Sequence, residues 1–439
     1  MKKVFSLFCL QIILYSTSLS ANHLTFTALQ DYAHIELLWN GETPTIQYSE
    51  DEGQTWNYFC DVITLKHKGD KILLKDKFPD KENSFYRFVI TDSIAASGNI
   101  MSLVDGEGLT KTIPSKNQFS SLFAYCTGLV QAPELPATEL TANCYNTMFY
   151  ECTSLKQVPE LPATTLAESC YLAMFKGCTS LTQVSEQLLP ATTLCNRCYE
   201  SLFSNCENLT NAPALPAKQL ASNCYKNMFY SCFNLKEGPE LPATTLADSC
   251  YYAMFTGCKS LTQAPELPAT TLTNGCYCAM FRQCTSLTQV PELSASTLAE
   301  KCYHGMFASC LNLSTIKVAF TDWEDNSTKL WLTNSKEKGT FICPEELPLK
   351  YGADFIPEGW TVSHDFTRAK CVEAATKPSV RTDGLTIIVN NTNAVVEVYD
   401  ASGKLIRKAE NTNGDVKIDV PHAGVYIVKV AEQSFKVTL

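Results

Sequence analysis

Thr165-Leu166-Ala167-Glu168-Ser169-Cys170-Tyr171-Leu172-Ala173-Met174-Phe175-Lys176-Gly177-Cys178 is one copy of the unit that decides the fold. Its Cys-Tyr pair recurs at 144, 170, 198, 224, 250, 276 and 302, every 26 residues with one step of 28. Thr165 and Glu168 have capping-box spacing, and Leu166, Cys170 and Met174 fall four apart with Phe175 beside them. Gly177 supplies a stop, so the run predicts a short one-sided helix. Ser180-Leu181-Thr182-Gln183-Val184 then predicts a short strand. The Pro-Glu-Leu-Pro that follows in most copies lacks the amide donors to extend a ladder. A unit this small cannot bury its apolar face alone, so the copies must stack around one elongated core.

Working outward, a degenerate copy occupies residues 119–143, keeping Phe123, Cys126, Leu129 and Leu135. Residues 21–98 alternate in runs such as His34-Ile35-Glu36-Leu37-Leu38-Trp39 and Lys71-Ile72-Leu73-Leu74, which predict a small β-sandwich. Residues 377–439 repeat that character in Val395-Val396-Glu397-Val398-Tyr399 and Val425-Tyr426-Ile427-Val428-Lys429-Val430. The expected organisation is a signal peptide at 1–20, an N-terminal sandwich at 21–98, the repeats at 99–320, their cap and a linker at 321–376, and a second sandwich at 377–439. The fold class is thus an α/β solenoid flanked by small β-sandwich domains at both ends.

The signal reading rests on Lys2 and Lys3 before an apolar stretch, then Ser18-Leu19-Ser20. No later segment is long and apolar enough for a transmembrane helix. Charged residues make up 18% of the 439-residue chain and hydrophobic ones 45%, a balance that builds cores. The net charge of −10, without a basic run, argues against nucleic acid.

Twenty of the 21 cysteines follow the signal. Within one helical copy, Cys170 and Cys178 would lie about 12 Å apart along the axis, beyond disulfide reach. Pairing between copies and a ladder of buried free thiols both stay open. No metal site is expected, because Cys195-Asn196-Arg197-Cys198 and Cys276-Tyr277-Cys278 lack a second pair to complete a tetrahedron. Six histidines, at 23, 34, 67, 304, 364 and 422, are scattered, and no nucleophile elbow, phosphate loop or zincin motif is present. No catalytic residue, cofactor or enzymatic activity is expected. Glu160, Glu240, Glu266 and Glu292 recur with the repeat and form an acidic row, not an acid-base pair.

The run of Cys-Tyr, Met-Phe, Gly-Cys-Thr-Ser-Leu-Thr-Gln and Pro-Glu-Leu-Pro-Ala-Thr-Thr-Leu resembles the BspA-like leucine-rich-repeat surface proteins of Gram-negative bacteria. The resemblance covers about half the chain and implies a leucine-rich-repeat array engaging host proteins or other cells. The 26-residue period departs from that family's more common shorter repeat. Gly339-Thr340-Phe341-Ile342-Cys343-Pro344 and Ile356-Pro357-Glu358-Gly359-Trp360-Thr361-Val362 resemble its terminal module, with Trp323, Trp331 and Trp360 set to cover the open end of the core. Tyr399-Asp400-Ala401-Ser402-Gly403-Lys404-Leu405 and Pro421-His422-Ala423-Gly424-Val425-Tyr426 resemble the C-terminal sorting domain of type IX secretion. That likeness implies display at the outer membrane surface. Ser49-Glu50-Asp51-Glu52-Gly53-Gln54-Thr55-Trp56 resembles the Asp-box of sialidases and propellers; occurring once, it predicts a hairpin turn held by Asp51.

The function expected is adhesion by a monomer, through host or microbial surface proteins or glycans. A passive surface-layer spacer is the alternative, and a glycan-active enzyme a less favoured one. The candidate binding residues are polar ones at repeated positions beside the expected strands: Lys156, Gln157, Glu160, Lys236, Glu237, Glu240, Thr262, Gln263, Glu266, Thr288, Gln289 and Glu292.

Overall fold

A computed structural model describes residues 22–40, 44–59, 61–77, 85–364, 379–383, 385–390, 395–409, 416–430 and 433–438. The expected signal peptide lies outside the described residues. Contacts divide the chain into two compact units, one up to His364 and one from Asp365.

The first unit opens with two sheets. Strands β1 (Leu24–Ala28), β3 (Gln47–Ser49), β4 (Asn57–Tyr58), β6 (Lys71–Lys75), β8 (Ile94–Ser97) and β9 (Leu129–Gln131) form one, in the order β4-β3-β6-β1-β8-β9. Strands β2 (Ala33–Asn40), β5 (Val62–Leu65) and β7 (Phe85–Val89) form the other, in the order β5-β2-β7. β2 shows why: Ala33, Ile35 and Leu37 are buried at every second position, while His34 and Leu38 are exposed. The sheets meet through Phe26 and Phe88, whose rings pack edge-on at 5.1 Å.

The boundary expected after residue 98 is not a break. β8 pairs in parallel with β9, which belongs to the first degenerate copy, and the Phe88 amide donates to the Leu122 carbonyl at 2.8 Å. Phe88 stacks on Phe123 at 5.4 Å, and one hydrophobic core runs from Leu24 to Trp360.

The repeats correct the helix expected across residues 165–178. No helix forms there; the run is a chain of turns in which Ser169, Ala173 and Gly177 take left-handed φ values of 54°, 50° and 78°. Alternate amides point in different directions. Those of Ser169, Tyr171, Ala173 and Phe175 donate to carbonyls of the next copy, at Asn196, Cys198, Glu200 and Leu202. Those of Leu172, Met174 and Lys176 donate three residues back. Thr165 is not a helix cap but a link in an exposed line of parallel bridges, Glu139 to Thr165 to Thr193 to Gln219 to Thr245.

The short strand expected at residues 180–184 is absent as well. Only β9 and β10 (Thr315–Lys317), at the two ends of the repeats, pair as strands along that edge. Between them the edge is held by sparser bonds, such as Thr210 amide to Thr182 carbonyl at 2.9 Å and Thr288 amide to Thr262 carbonyl at 3.0 Å. Prolines such as Pro213, Pro265 and Pro291 remove the donors a continuous ladder needs.

Stacking aligns identical side chains. Tyrosines 145, 171, 199, 225, 251, 277 and 303 form one column and phenylalanines 123, 149, 175, 203, 229, 255, 281 and 307 another, with ring centroids 5.4–6.1 Å apart and planes within 13°. That step exceeds the roughly 4.8 Å of a strand ladder. The far end is closed by β10, β11 (Thr340–Ile342) and β12 (Thr361–Ser363), a parallel sheet. Trp323, Trp331 and Trp360 are buried against it, their indole N–H groups donating to the carbonyls of Pro348, Phe355 and Lys336 at 2.7–2.8 Å. They are packing residues.

The second unit has two sheets. β13 (Ser379–Asp383), β14 (Thr386–Asn390) and β17 (Val416–Asp419) form one; β15 (Val396–Asp400), β16 (Leu405–Ala409), β18 (Val425–Val430) and β19 (Gln433–Thr438) form the other. Their core includes Ile387, Val389, Val396, Val398, Ile418, Tyr426 and Val428.

Candidate binding faces

Eleven of the twelve candidate residues are exposed, and Glu292 is half-buried because its carboxylate pairs with the Lys317 ammonium at 2.6 Å. They lie on the proline-containing edge and stack copy on copy, as the bridge between Gln263 and Gln289 shows. The acidic row is broken where Ala214 stands at the matching position, its amide bonded to the Glu186 carbonyl at 2.8 Å. The structure brings Thr262, Gln263, Thr288 and Gln289 together on neighbouring copies.

A second face was not read from the sequence. Side chains that leave the turn run outward include Tyr150, Lys176, Lys226, Tyr230, Tyr252 and Arg282. The Lys176 ammonium lies 5.6 Å from the Tyr150 ring centre, and the Lys226 ammonium 5.5 Å from that of Tyr252. At the start of the same face, the Arg87 guanidinium sits 5.6 Å from the ring of Tyr125, which is edge-on to Tyr150 at 5.2 Å. The signal was the variation of these positions between otherwise near-identical copies. A helical reading scatters them around a cylinder, and only the turn geometry gathers them.

The 18 described cysteines are free, and 17 of them are buried. Cys126, Cys152, Cys178, Cys206, Cys232, Cys258, Cys284 and Cys310 each donate to the carbonyl of a Phe in the preceding layer, at 3.0–3.2 Å. Burial pushes the thiols of Cys126, Cys144 and Cys198 up to about 12, so they stay protonated. The premise that helical rise separates Cys170 from Cys178 fails with the helix, but the thiols serve the stack as small buried donors. Among the described residues no group of three or more His, Cys, Asp or Glu side chains is arranged to hold a metal.

The Asp51 hairpin joins β3 to β4. Its carboxylate accepts from the Thr55 hydroxyl and amide at 2.6 and 2.8 Å and from the Ser49 hydroxyl at 2.7 Å, and these bonds lower it to about 2. The Trp56 indole closes the turn by donating to the Gly53 carbonyl at 3.0 Å and lies under the Lys75 ammonium at 3.9 Å. The hydrogen bonds of the Asp51 carboxylate and the Trp56 indole all stay within the turn, which makes it a structural hairpin.

Residues 378–439 match the family model described as a secretion system C-terminal sorting domain. Such a domain marks proteins exported by the type IX secretion system to the cell surface or outer membrane, and this chain carries it. Among the described residues no helix is long and apolar enough to cross a membrane. A search of curated proteins finds no match to the chain.

Proposed function

We propose that the exported chain is a non-catalytic binding protein: a leucine-rich-repeat array of the BspA-like kind, displayed at the cell surface and engaging host or microbial surface proteins or glycans. One observation carries the reading. The copies bury stacked Tyr, Phe, Cys and Leu side chains and differ from one another mainly at outward positions. A long, ordered, polar surface over an apolar interior is suited to macromolecular contact. A cavity of about 230 Å³ in the cap, lined by residues such as Leu332, Thr333, Lys336 and Pro357, falls below the roughly 300–1,000 Å³ of small-molecule sites. No catalytic role is assigned to it.

The spacer reading draws support from the edge, where Thr182, Thr210, Thr262 and Thr288 repeat the same residue in four copies while Lys156 and Lys236 stand there in two. Binding of the exported chain to immobilised matrix proteins, mucins and bacterial glycans, against a chain lacking residues 119–310, separates the two. Saturable binding that disappears with the repeats is expected; no saturable binding to any surface would leave the spacer reading.

A further inference from the structure

Charge divides unevenly among the faces of the repeat stack. Between residues 119 and 320 the turn runs are balanced, with Glu151, Glu168, Glu200, Asp248 and Glu300 against Lys176, Arg197, Lys226, Arg282 and Lys301. Two exposed strips are balanced as well, one by Glu139 and Lys218 and the other by Glu207 and Lys259. The proline-containing edge takes what is left. Glu134, Glu160, Glu186, Glu237, Glu240, Glu266 and Glu292 stand there against Lys156, Lys236 and, at the far end, Lys317. All of these carboxylates but Glu292 are exposed, and Glu292 is the one that Lys317 already pairs, at 2.6 Å. The net negative charge of the stack is therefore confined to one edge.

The hydrogen-bonding groups of that edge are biased the same way. Each Pro-Glu-Leu-Pro, at 133–136, 159–162, 239–242 and 265–268, carries four carbonyls but two amides, because proline has no N–H. The threonine hydroxyls beside these segments spend their protons inside the stack. Thr210 donates to the Thr182 carbonyl at 2.9 Å and Thr288 to the Thr262 carbonyl at 3.3 Å, so both face outward as acceptors. The edge thus presents carboxylates, carbonyls and hydroxyl lone pairs in excess of donors.

We propose that the proline-containing edge docks a basic polypeptide segment, whose lysine or arginine side chains donate to the edge carboxylates and carbonyls. Two features select this partner. The charge of the edge asks for a cation, and its surplus of acceptors asks for one rich in N–H groups. Ammonium and guanidinium groups bear several donors and no acceptor, so they meet both demands, whereas a neutral or acidic glycan meets neither. A divalent ion is not what the edge is shaped for. Among the described residues no three carboxylates, thiols or imidazoles converge on one point, and the carboxylates instead follow one another along the copies from Glu134 to Glu292, with a gap at Ala214. A chain carrying several cations engages several of them at once, and linked contacts reinforce one another. The proposal rests on the binding reading above and names its partner.

The test measures binding of the exported chain to immobilised poly-L-arginine and to lysozyme, a folded basic protein, by surface resonance, with poly-L-glutamate and neutral dextran as controls. Saturable binding to both basic probes and none to the controls is expected, weakening as salt rises. E160Q/E240Q/E266Q should weaken it about ten-fold or more. E139Q/E168Q/E207Q removes as many carboxylates from other faces and should leave it within about two-fold, because salt screens charges that lie beyond the contact. All of these side chains are exposed, and unchanged melting of each variant confirms the fold. Equal weakening by the two triple variants would mean attraction to the chain as a whole and overturns the proposal, as does tighter binding to poly-L-glutamate or dextran than to the basic probes. Repeat-dependent binding to mucin or matrix proteins without any to the basic probes overturns it while leaving the binding function standing. No saturable binding to any surface removes both.

Discussion

Cys170 and Tyr171 are neighbours in sequence, yet both point into the core. A strand would send one of them out, and the turn run does not, because its conformation repeats every four residues. Their acid-base behaviour follows from that burial. The thiols of Cys126 and Cys144 are raised to about 12, and the stacked tyrosines sit well above their ordinary range, in each case chiefly through desolvation. A raised pKa on an acid means that the folded state holds the proton more tightly than the unfolded one. The stability gained is complete below the unfolded thiol value and is lost as pH climbs through the folded one. Melting temperature should therefore fall between about pH 9 and pH 12, and a thiol reagent at about pH 8 should titrate the buried cysteines only after unfolding. Full labelling of native protein would contradict the burial. Gly177 makes a second prediction. It has φ of 78°, and a Cβ there would lie 2.6 Å from the Glu151 carboxylate. Gly177→Ala should cost about 1 kcal/mol or more, read as a lower urea midpoint.

The element that defines this protein is the turn run, and it is held by its neighbours. An isolated copy would have to keep residues such as Asn143, Thr147 and Glu151 left-handed, at about 1–2 kcal/mol each, with alternate amides unbonded. Stacking supplies the missing carbonyls and buries the ring columns. Phe229→Ala, in the middle of its column, should cost about 3–5 kcal/mol and separate the unfolding of the two halves of the stack. A single unshifted transition in two spectroscopic probes would show that the columns do not carry the stability. Much of this element was legible in the sequence. The positions expected to face inward, Leu166, Cys170, Met174 and Phe175, are buried, as are Trp323, Trp331 and Trp360. The conformation was not legible, because spacing by four fits both a helix and a four-residue turn repeat. Over three steps a helix turns each such position about 40° further round its axis. Leu166, Cys170, Met174 and Cys178 nevertheless all stay buried, and that strictness was the available clue. What it leaves out is lateral bonding between residues about 26 apart, which no local pattern encodes. The same gap hid the turn face, since Tyr150 and Lys176 become neighbours only when the copies stack.

At the scale of the whole molecule, the first sheets provide the base of the stack through Phe88, and the three tryptophans provide its lid. The second unit has its own core and carries the sorting match. Removing residues 378–439 should leave the first unit folded, with its own melting transition unchanged, while abolishing its appearance at the cell surface. Retained surface labelling of the truncated chain would contradict the export assignment. Excising residues 223–248, one complete copy, should preserve both ring columns and yield a shorter folded array, because Tyr199 and Phe203 would then meet Tyr251 and Phe255. The central claim is that the stacked repeats bind a partner at the cell surface. The most direct measurement compares cells displaying the complete chain with cells displaying a chain that lacks residues 119–310 but keeps the sorting domain. Both are scored for saturable attachment to mucin and matrix-coated surfaces at matched display levels. Attachment that requires the repeats is the predicted result; equal attachment by both strains would contradict the account.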